Sequence, residues 1–259
     1  MILDELAAST RKRVEKEKRE HPLGEIKKAA LQMKRGDFEF EKAVAKENLS
    51  FICEVKKASP SKGLIAPDFP YLQIAREYEA AGADCVSVLT EPEYFLGSKQ
   101  ILKEISESIS LPIIRKDFTI DEYMIYDAKL VGASCVLLIC SLLDSDTIKR
   151  YISICEELGI SALVEAHDER EIETALAVGA RMIGVNNRDL KTFNVNVSNS
   201  ATLRSLVPDD VLFVAESGIK NACDIKALGD LNVDAVLIGE TLMRSPDKSE
   251  MMRELKSLI

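Results

Sequence analysis

Two lysines and three glutamates in this chain each fall at the end of a short apolar run. Glu54 and Lys56 end "FICEVK", Lys116 ends "PIIRK", Glu165 ends "SALVEA" and Glu216 ends "LFVAES". Lysines and carboxylates held together perturb each other's pKa, and such paired groups can serve as the proton donors and acceptors of general acid–base chemistry. Other runs end in Arg115 and Asp117, in Asn186, Asn187 and Arg188, and in Gly239 and Glu240. "ESGI" and "IGET" place Ser217, Gly218 and Gly239 where backbone N–H groups can approach an anion. The residue types point to proton transfer on a phosphorylated small molecule. Metal chemistry has little to work with: the chain has 2 histidines, His21 and His167. His167 follows Glu165 by two places and reads as a rim residue rather than a ligand or base.

The elements that would gather these residues are legible in the spacing. The runs "FICEV", "CVSVLT", "PIIRK", "SCVLLIC", "SALVEA", "RMIGVN", "LFVAES" and "AVLIG" recur roughly 20–33 residues apart, the spacing of βα units. Their apolar residues are consecutive rather than alternating, as in parallel strands covered on both faces. Helical patterns lie between them. In "DSDTIKRYISICEELG", Ile148, Tyr151, Ile152, Cys155 and Leu158 share a face, Asp144 and Ser145 can cap the start, and Gly159 can end the helix. "AAGADCVSVL", "LVGASCVLLI" and "AVGARMIGVN" form a weak repeat that sets Gly-Ala just before a strand. Eight such units predict a (βα)8 TIM barrel over residues 49–259, with residues 1–48 as an N-terminal helical extension of the same domain. A doubly wound open sheet is the alternative, but it usually carries a Gly-rich loop after its first strand, and this chain has none.

In such a barrel the C-terminal strand ends face the active site. One charged residue there is ordinarily a solvated rim residue. Ionisable groups at the ends of several strands, all converging on one mouth, are harder to attribute to chance. Alternation puts Glu54 with Lys56, and Ile114 with Lys116, while Lys57 and Arg115 take the opposite faces. A single strand does not say which face is inward.

Composition bounds the partners. The chain has 259 residues, 46% of them hydrophobic, and a net charge of −9. Its basic run, "RKRVEKEKRE", lies in the extension, where Ile2, Leu3, Leu6 and Ala7 suggest one or two amphipathic helices docked on the core. An acidic chain of this kind is a poor nucleic-acid binder. No apolar stretch is long enough to span a membrane, and no signal-peptide pattern opens the sequence. The 6 cysteines are scattered without a CxxC pair, which fits a reduced, cytoplasmic protein without disulfides or zinc.

The motifs "EVKKASPSKG", "LTEPEYFLG", "PIIRKDF", "LVEAHDE", "IGVNNRDL", "VAESGI" and "LIGETLM", in this order over nearly the whole chain, resemble the indole-3-glycerol phosphate synthase family. The resemblance implies cofactor-free closure of the pyrrole ring of 1-(2-carboxyphenylamino)-1-deoxyribulose 5-phosphate, with loss of carbon dioxide and water. By the family pattern Lys116 is the acid that polarises the carbonyl, and Lys56 holds the carboxylate and can help the hydroxyl depart. Glu165 is the catalytic carboxylate, Glu54 organises the lysines, and Asn186 bonds a substrate hydroxyl. Glu216 and Arg188 would contact substrate, with Phe118 and Leu137 on the aromatic ring and Ser59 in a long mobile loop after strand one, where Lys62 could also reach it. Ser217, Gly218, Gly239 and Glu240 would line the phosphate site, Glu240 through its backbone alone. The extension would partly cover the mouth, and the family pattern implies a monomer.

Two other readings use the same residues. One is a Schiff-base aldolase of the phosphate-binding barrel type, with Lys116 or Lys56 as nucleophile. The other is a non-catalytic barrel serving as a scaffold.

Overall fold

The computed structural model describes residues 2–188 and 198–259. Each Gly-Ala step of the repeat ends a helix. Gly82, Gly132 and Gly179 have φ of 80°, 89° and 81°, a left-handed backbone that a Cβ would strain. The alanine N–H then reaches back five residues: Ala83 to Tyr78 at 3.0 Å, Ala133 to Ala128 at 2.9 Å, Ala180 to Ala175 at 3.0 Å. This Schellman closure satisfies the last carbonyls of α4 (Tyr71–Ala80), α6 (Glu122–Leu130) and α8 (Glu169–Ala177) and turns the chain into a strand.

Eight parallel strands close into a barrel among the described residues: β1 (Ser50–Val55), β2 (Cys85–Leu89), β3 (Ile113–Lys116), β4 (Cys135–Ile139), β5 (Ser161–Ala166), β6 (Met182–Asn186), β7 (Leu212–Glu216) and β8 (Ala235–Ile238). β1 pairs with β2 on one side and with β8 on the other, which closes the ring. The strands match the apolar runs of the sequence to within a residue at most ends. The outer helices include α5 (Lys99–Ser106), α7 (Ser145–Leu158), α9 (Ser198–Arg204), α10 (Ala222–Gly229), α11 (Glu240–Arg244) and α12 (Lys248–Leu255). α7 begins where its cap predicts: the Asp144 carboxylate accepts the Thr147 N–H at 2.7 Å.

The registers settle the inward face. Ile52, Cys85, Ile114, Cys135, Leu137, Leu163, Met182, Val214, Ala235 and Leu237 form one buried cluster inside the barrel. Pleat alternation then turns Glu54, Lys56, Lys116, Glu165, Asn186 and Glu216 inward above that cluster, toward the C-terminal mouth. The alternate residues, such as Phe51, Val86, Val136 and Ile183, pack against the helices.

The extension holds three helices, one more than the sequence suggests at most: α1 (Ile2–Glu20), α2 (Leu23–Gln32) and α3 (Glu39–Val44). α1 buries Leu6, Ala7, Thr10 and Val14 along one stripe. α2 packs along α6. α3 plugs the N-terminal end of the barrel with Phe40 and Val44, which join the interior cluster. The loop after β1 folds into a small antiparallel hairpin, Ala58–Ser59 against Gly63–Leu64. Among the described residues, no helix is long and apolar enough to cross a membrane.

Candidate active site

Lys116 is the last residue of β3, with its ammonium at the base of the mouth. Its Nζ lies 3.1 Å from Glu165 Oε2 and 3.1 Å from Glu216 Oε2. β5 and β7 deliver those carboxylates by the alternation that buries Leu163 and Val214 below them. Gly184 on β6 makes room: a Cβ there would stand 2.3 Å from Glu216 Oε1. That oxygen is buried and has no hydrogen-bond partner among the described residues.

A second ion pair stands beside the first. Glu54 Oε1 holds Lys56 Nζ, and Glu54 Oε2 accepts the Ser87 hydroxyl at 3.3 Å. A Cβ on Gly239 would meet Glu54 Oε1 at 2.4 Å and Lys56 Nζ at 2.8 Å, so this glycine leaves space for the pair. Asn186 ends β6, and its Oδ1 accepts the Arg188 N–H at 3.0 Å.

The neighbouring outward residues have structural partners. Arg115 is buried, with Nη1 2.7 Å from Asp127 Oδ2 and Nη2 3.5 Å from Asp117 Oδ2. Arg13 of α1 donates to Asp117 Oδ1 at 2.7 Å and to the Thr90 carbonyl at 3.0 Å. This network fastens the extension to β3 behind Lys116. Asn187 likewise faces outward. Its amide donates to the Ser217 carbonyl at 3.2 Å, and its Oδ1 accepts from the Ser200 hydroxyl at 2.8 Å.

The electrostatics separate the carboxylates. Burial alone would raise Glu165, but the Lys116 ammonium and His167 hold it well below the ordinary range. Glu216 goes the other way: burial outweighs Lys116, Glu165 adds repulsion, and the pKa rises to about 7. One ammonium shared by two buried carboxylates fully compensates only one of them, and Glu165 has a second cation. For Lys116, burial favours the neutral amine, but Glu165, Glu216 and Glu54 outweigh it and keep the charge.

These groups open into a cavity of about 610 Å³. Every residue singled out as a candidate lines it: Lys116, Glu165, Lys56, Glu54 and Asn186; Ser59, Phe118, Leu137, Arg188 and Glu216; Ser217, Gly218, Gly239 and Glu240. Leu3 and Leu6 of α1 form part of its wall, and the Phe118 ring lies 6.2 Å from that of Phe95. At the β7 end Ser217 and Gly218 have φ of 67° and 85°, a sharp turn. Thr241 ties the two loops together by donating to the Ile219 carbonyl at 2.6 Å. The Glu240 carboxylate lies 3.4 Å from Lys62 Nζ and 3.1 Å from Arg244 Nε. Partial burial would raise it, but Arg244 and Lys62 hold it below the usual range. Lys220, Arg244 and Phe95 also line the cavity and went unnoticed in the sequence. Arg244 had a signal, its i,i+4 spacing from Glu240 on a helix; Phe95 sits in an irregular loop and had none.

His167 is the main departure from the sequence reading. Its Nε2 lies 3.2 Å from Glu165 Oε1, within charge-pair range though off the line of a good hydrogen bond. Its Nδ1 lies 3.0 Å from Glu171 Oε2. It is partly buried against the catalytic candidates rather than loose on the rim.

The comparisons with known proteins agree with this architecture. The family model described as indole-3-glycerol phosphate synthase matches residues 3–255. An indole-3-glycerol phosphate synthase of Ruminiclostridium cellulolyticum is 58% identical over 257 residues, covering 99% of each chain. One of Endomicrobium trichonymphae is 53% identical, covering 99% of this chain and 100% of the relative. Among solved structures, a 3-hexulose-6-phosphate synthase superposes with a TM-score of 0.65 at 14% identity, covering 82% of this chain and 100% of that one, a likeness of fold alone. With a family model spanning nearly its whole length and relatives more than half identical to it end to end, the chain belongs to the indole-3-glycerol phosphate synthase family.

Proposed function

We propose that Lys116, Glu165 and Lys56 carry the proton transfers by which this chain converts 1-(2-carboxyphenylamino)-1-deoxyribulose 5-phosphate to indole-3-glycerol phosphate. The observation that carries the reading is the Lys116 ammonium, 3.1 Å from each of two buried carboxylates at the edge of the cavity.

The aromatic carbon bearing the carboxylate attacks the substrate ketone, and Lys116 gives its proton to the carbonyl oxygen as the carbon–carbon bond forms. Lys56 meets the substrate carboxylate until carbon dioxide leaves. The remaining hydroxyl then departs with a proton from Lys56. Glu165, ionised and aimed into the cavity, removes a proton from the neighbouring carbon to complete the pyrrole ring. Glu54 holds Lys56 in place through their ion pair. Asn186 bonds a substrate hydroxyl, Arg188 and Glu216 contact the substrate, and Ser59 closes over it. Phe118 and Leu137 pack on the aromatic ring. The phosphate lies at Ser217, Gly218 and Gly239, with Lys62, Lys220 and Arg244 as nearby cations. Glu240 takes part there through its N–H, since Lys62 and Arg244 occupy its carboxylate.

The Schiff-base alternative needs a lysine with a lowered pKa. The carboxylates around Lys116 raise its pKa and keep the amine protonated, which favours a proton donor over a nucleophile. We read residues 1–259 as one domain, acting as a cytoplasmic monomer without a cofactor.

Adding the carboxyphenylamino substrate and following indole fluorescence tests the function. The chain has 0 tryptophans, so the protein background is low. Fluorescent product is expected. A lysine adduct trapped by borohydride, with no indole formed, would support the Schiff-base reading instead.

A further inference from the structure

We infer that His167 is a positioning residue for Glu165: it clamps one carboxylate oxygen so that the other stays aimed at Lys116 and the cavity, and Glu171 is the anchor of the clamp. The inference rests on the reading of Glu165 as the base.

The geometry is two-sided. Glu165 Oε2 faces Lys116 Nζ at 3.1 Å, and Oε1 faces His167 Nε2 at 3.2 Å. The ring is itself fixed on its far side. Glu171 Oε2 lies 3.0 Å from Nδ1 and also accepts the His167 backbone N–H at 2.8 Å. Glu171 sits in the first turn of α8, its own N–H bound at 2.9 Å by the capping carboxylate of Asp168. Asn199 holds the His167 carbonyl at 3.3 Å. Both ring nitrogens therefore face carboxylate oxygens. The imidazolium, cationic toward both carboxylates, suits that arrangement, with the Nε2 contact a charge pair rather than an aligned hydrogen bond.

The surroundings favour the cation. Burial would lower His167, but Glu165 and Glu171 outweigh it and raise the pKa to about 10. The groups around the clamp are Lys116 from β3, Glu216 from β7 and Glu54 from β1 on the Glu165 side. Asp168 and Glu171 stand on the α8 side. The Cys140 thiol, beyond β4, is pushed up to about 12 by burial and stays neutral.

The clamp matters when Lys116 spends its proton on the substrate. At that moment Glu165 loses one of its two cations. His167 does not exchange its proton in that step, so Glu165 stays ionised and in place for the later deprotonation.

The test compares His167→Gln, Glu171→Gln and Glu165→Gln with the parent enzyme, measuring kcat, KM and kcat against pH. For His167→Gln, kcat is expected to fall about tenfold with little change in KM. Its acid limb is expected to move up by about one unit, because Glu165 has lost a neighbouring cation. Glu171→Gln moves the limb the same way by less. Normal kcat and an unmoved acid limb in both variants, with only a lower Tm, would overturn the inference and leave His167 a structural residue. If His167→Gln does not fold, the limb of Glu171→Gln decides alone. An active Glu165→Gln would show instead that the base is misassigned, which separates the two failures.

Discussion

Gly184 stands where the carboxylate of Glu216 needs room: a Cβ on Gly184 would lie 2.3 Å from Glu216 Oε1. Gly184 pairs with Glu165 on one side and with Val214 on the other, so it faces the interior between the two strands that carry the carboxylates. Gly184→Ala is expected to push Glu216 off Lys116. The expected result is a fall in kcat of about tenfold or more with a preserved circular dichroism spectrum. Unchanged kcat would mean that the position of Glu216 has no part in turnover.

Glu216 should also leave a mark on stability. Its pKa in the fold is raised from 4.5 to about 7, first by burial. A carboxyl raised in the fold binds its proton more tightly there than in the unfolded chain. Its contribution to stability is therefore full below the unfolded value and lost as pH rises through about 7. Glu216→Gln removes that titration. Relative to the parent, the variant should gain stability between about pH 5 and about pH 8.5, as read by urea melts at both. An equal difference at the two pH values would mean that Glu216 ionises as easily folded as unfolded.

The strands and the pairing of neighbours on one face were legible in the sequence because consecutive β-branched runs, Gly-Ala helix ends and pleat alternation are local properties. Alternation grouped Glu54 with Lys56 and Ile114 with Lys116. The inward direction was not legible, because it depends on which neighbouring strand each residue meets. Ile114 beside Cys135 and Ser87 settles it. The role of His167 was hidden for a related reason. Its partner Glu171 lies in the next helix, and only the turn between β5 and α8 brings the two side chains together. The third helix of the extension, α3, is six residues long, too short for a periodic signal.

Arg115 has a purely structural neighbourhood, and its removal should separate stability from catalysis. Its charge is buried between Asp127 and Asp117. Arg115→Met leaves those carboxylates short of a partner, and a loss of about 3–5 kcal/mol is expected in denaturant melts. A loss under about 1 kcal/mol would mean that Arg13 on Asp117 and Lys99, whose Nζ lies 3.1 Å from Asp127 Oδ1, compensate the carboxylates without it.

Arg244 lines the cavity at the end assigned to the phosphate and holds the Glu240 carboxylate at 3.1 Å. Arg244→Ala removes a cation and frees an anion in the same place. KM is expected to rise about tenfold while kcat changes little, the pattern of lost uniform binding. A fall in kcat at constant KM would move Arg244 into the chemistry instead.

The central claim is that Lys116 supplies the proton for ring closure. The most direct measurement is turnover of the carboxyphenylamino substrate by Lys116→Ala, followed by indole fluorescence, with circular dichroism confirming the fold. The expected result is a loss of kcat of about a thousandfold or more. A folded variant that closes the ring at a near-normal rate would contradict the assignment.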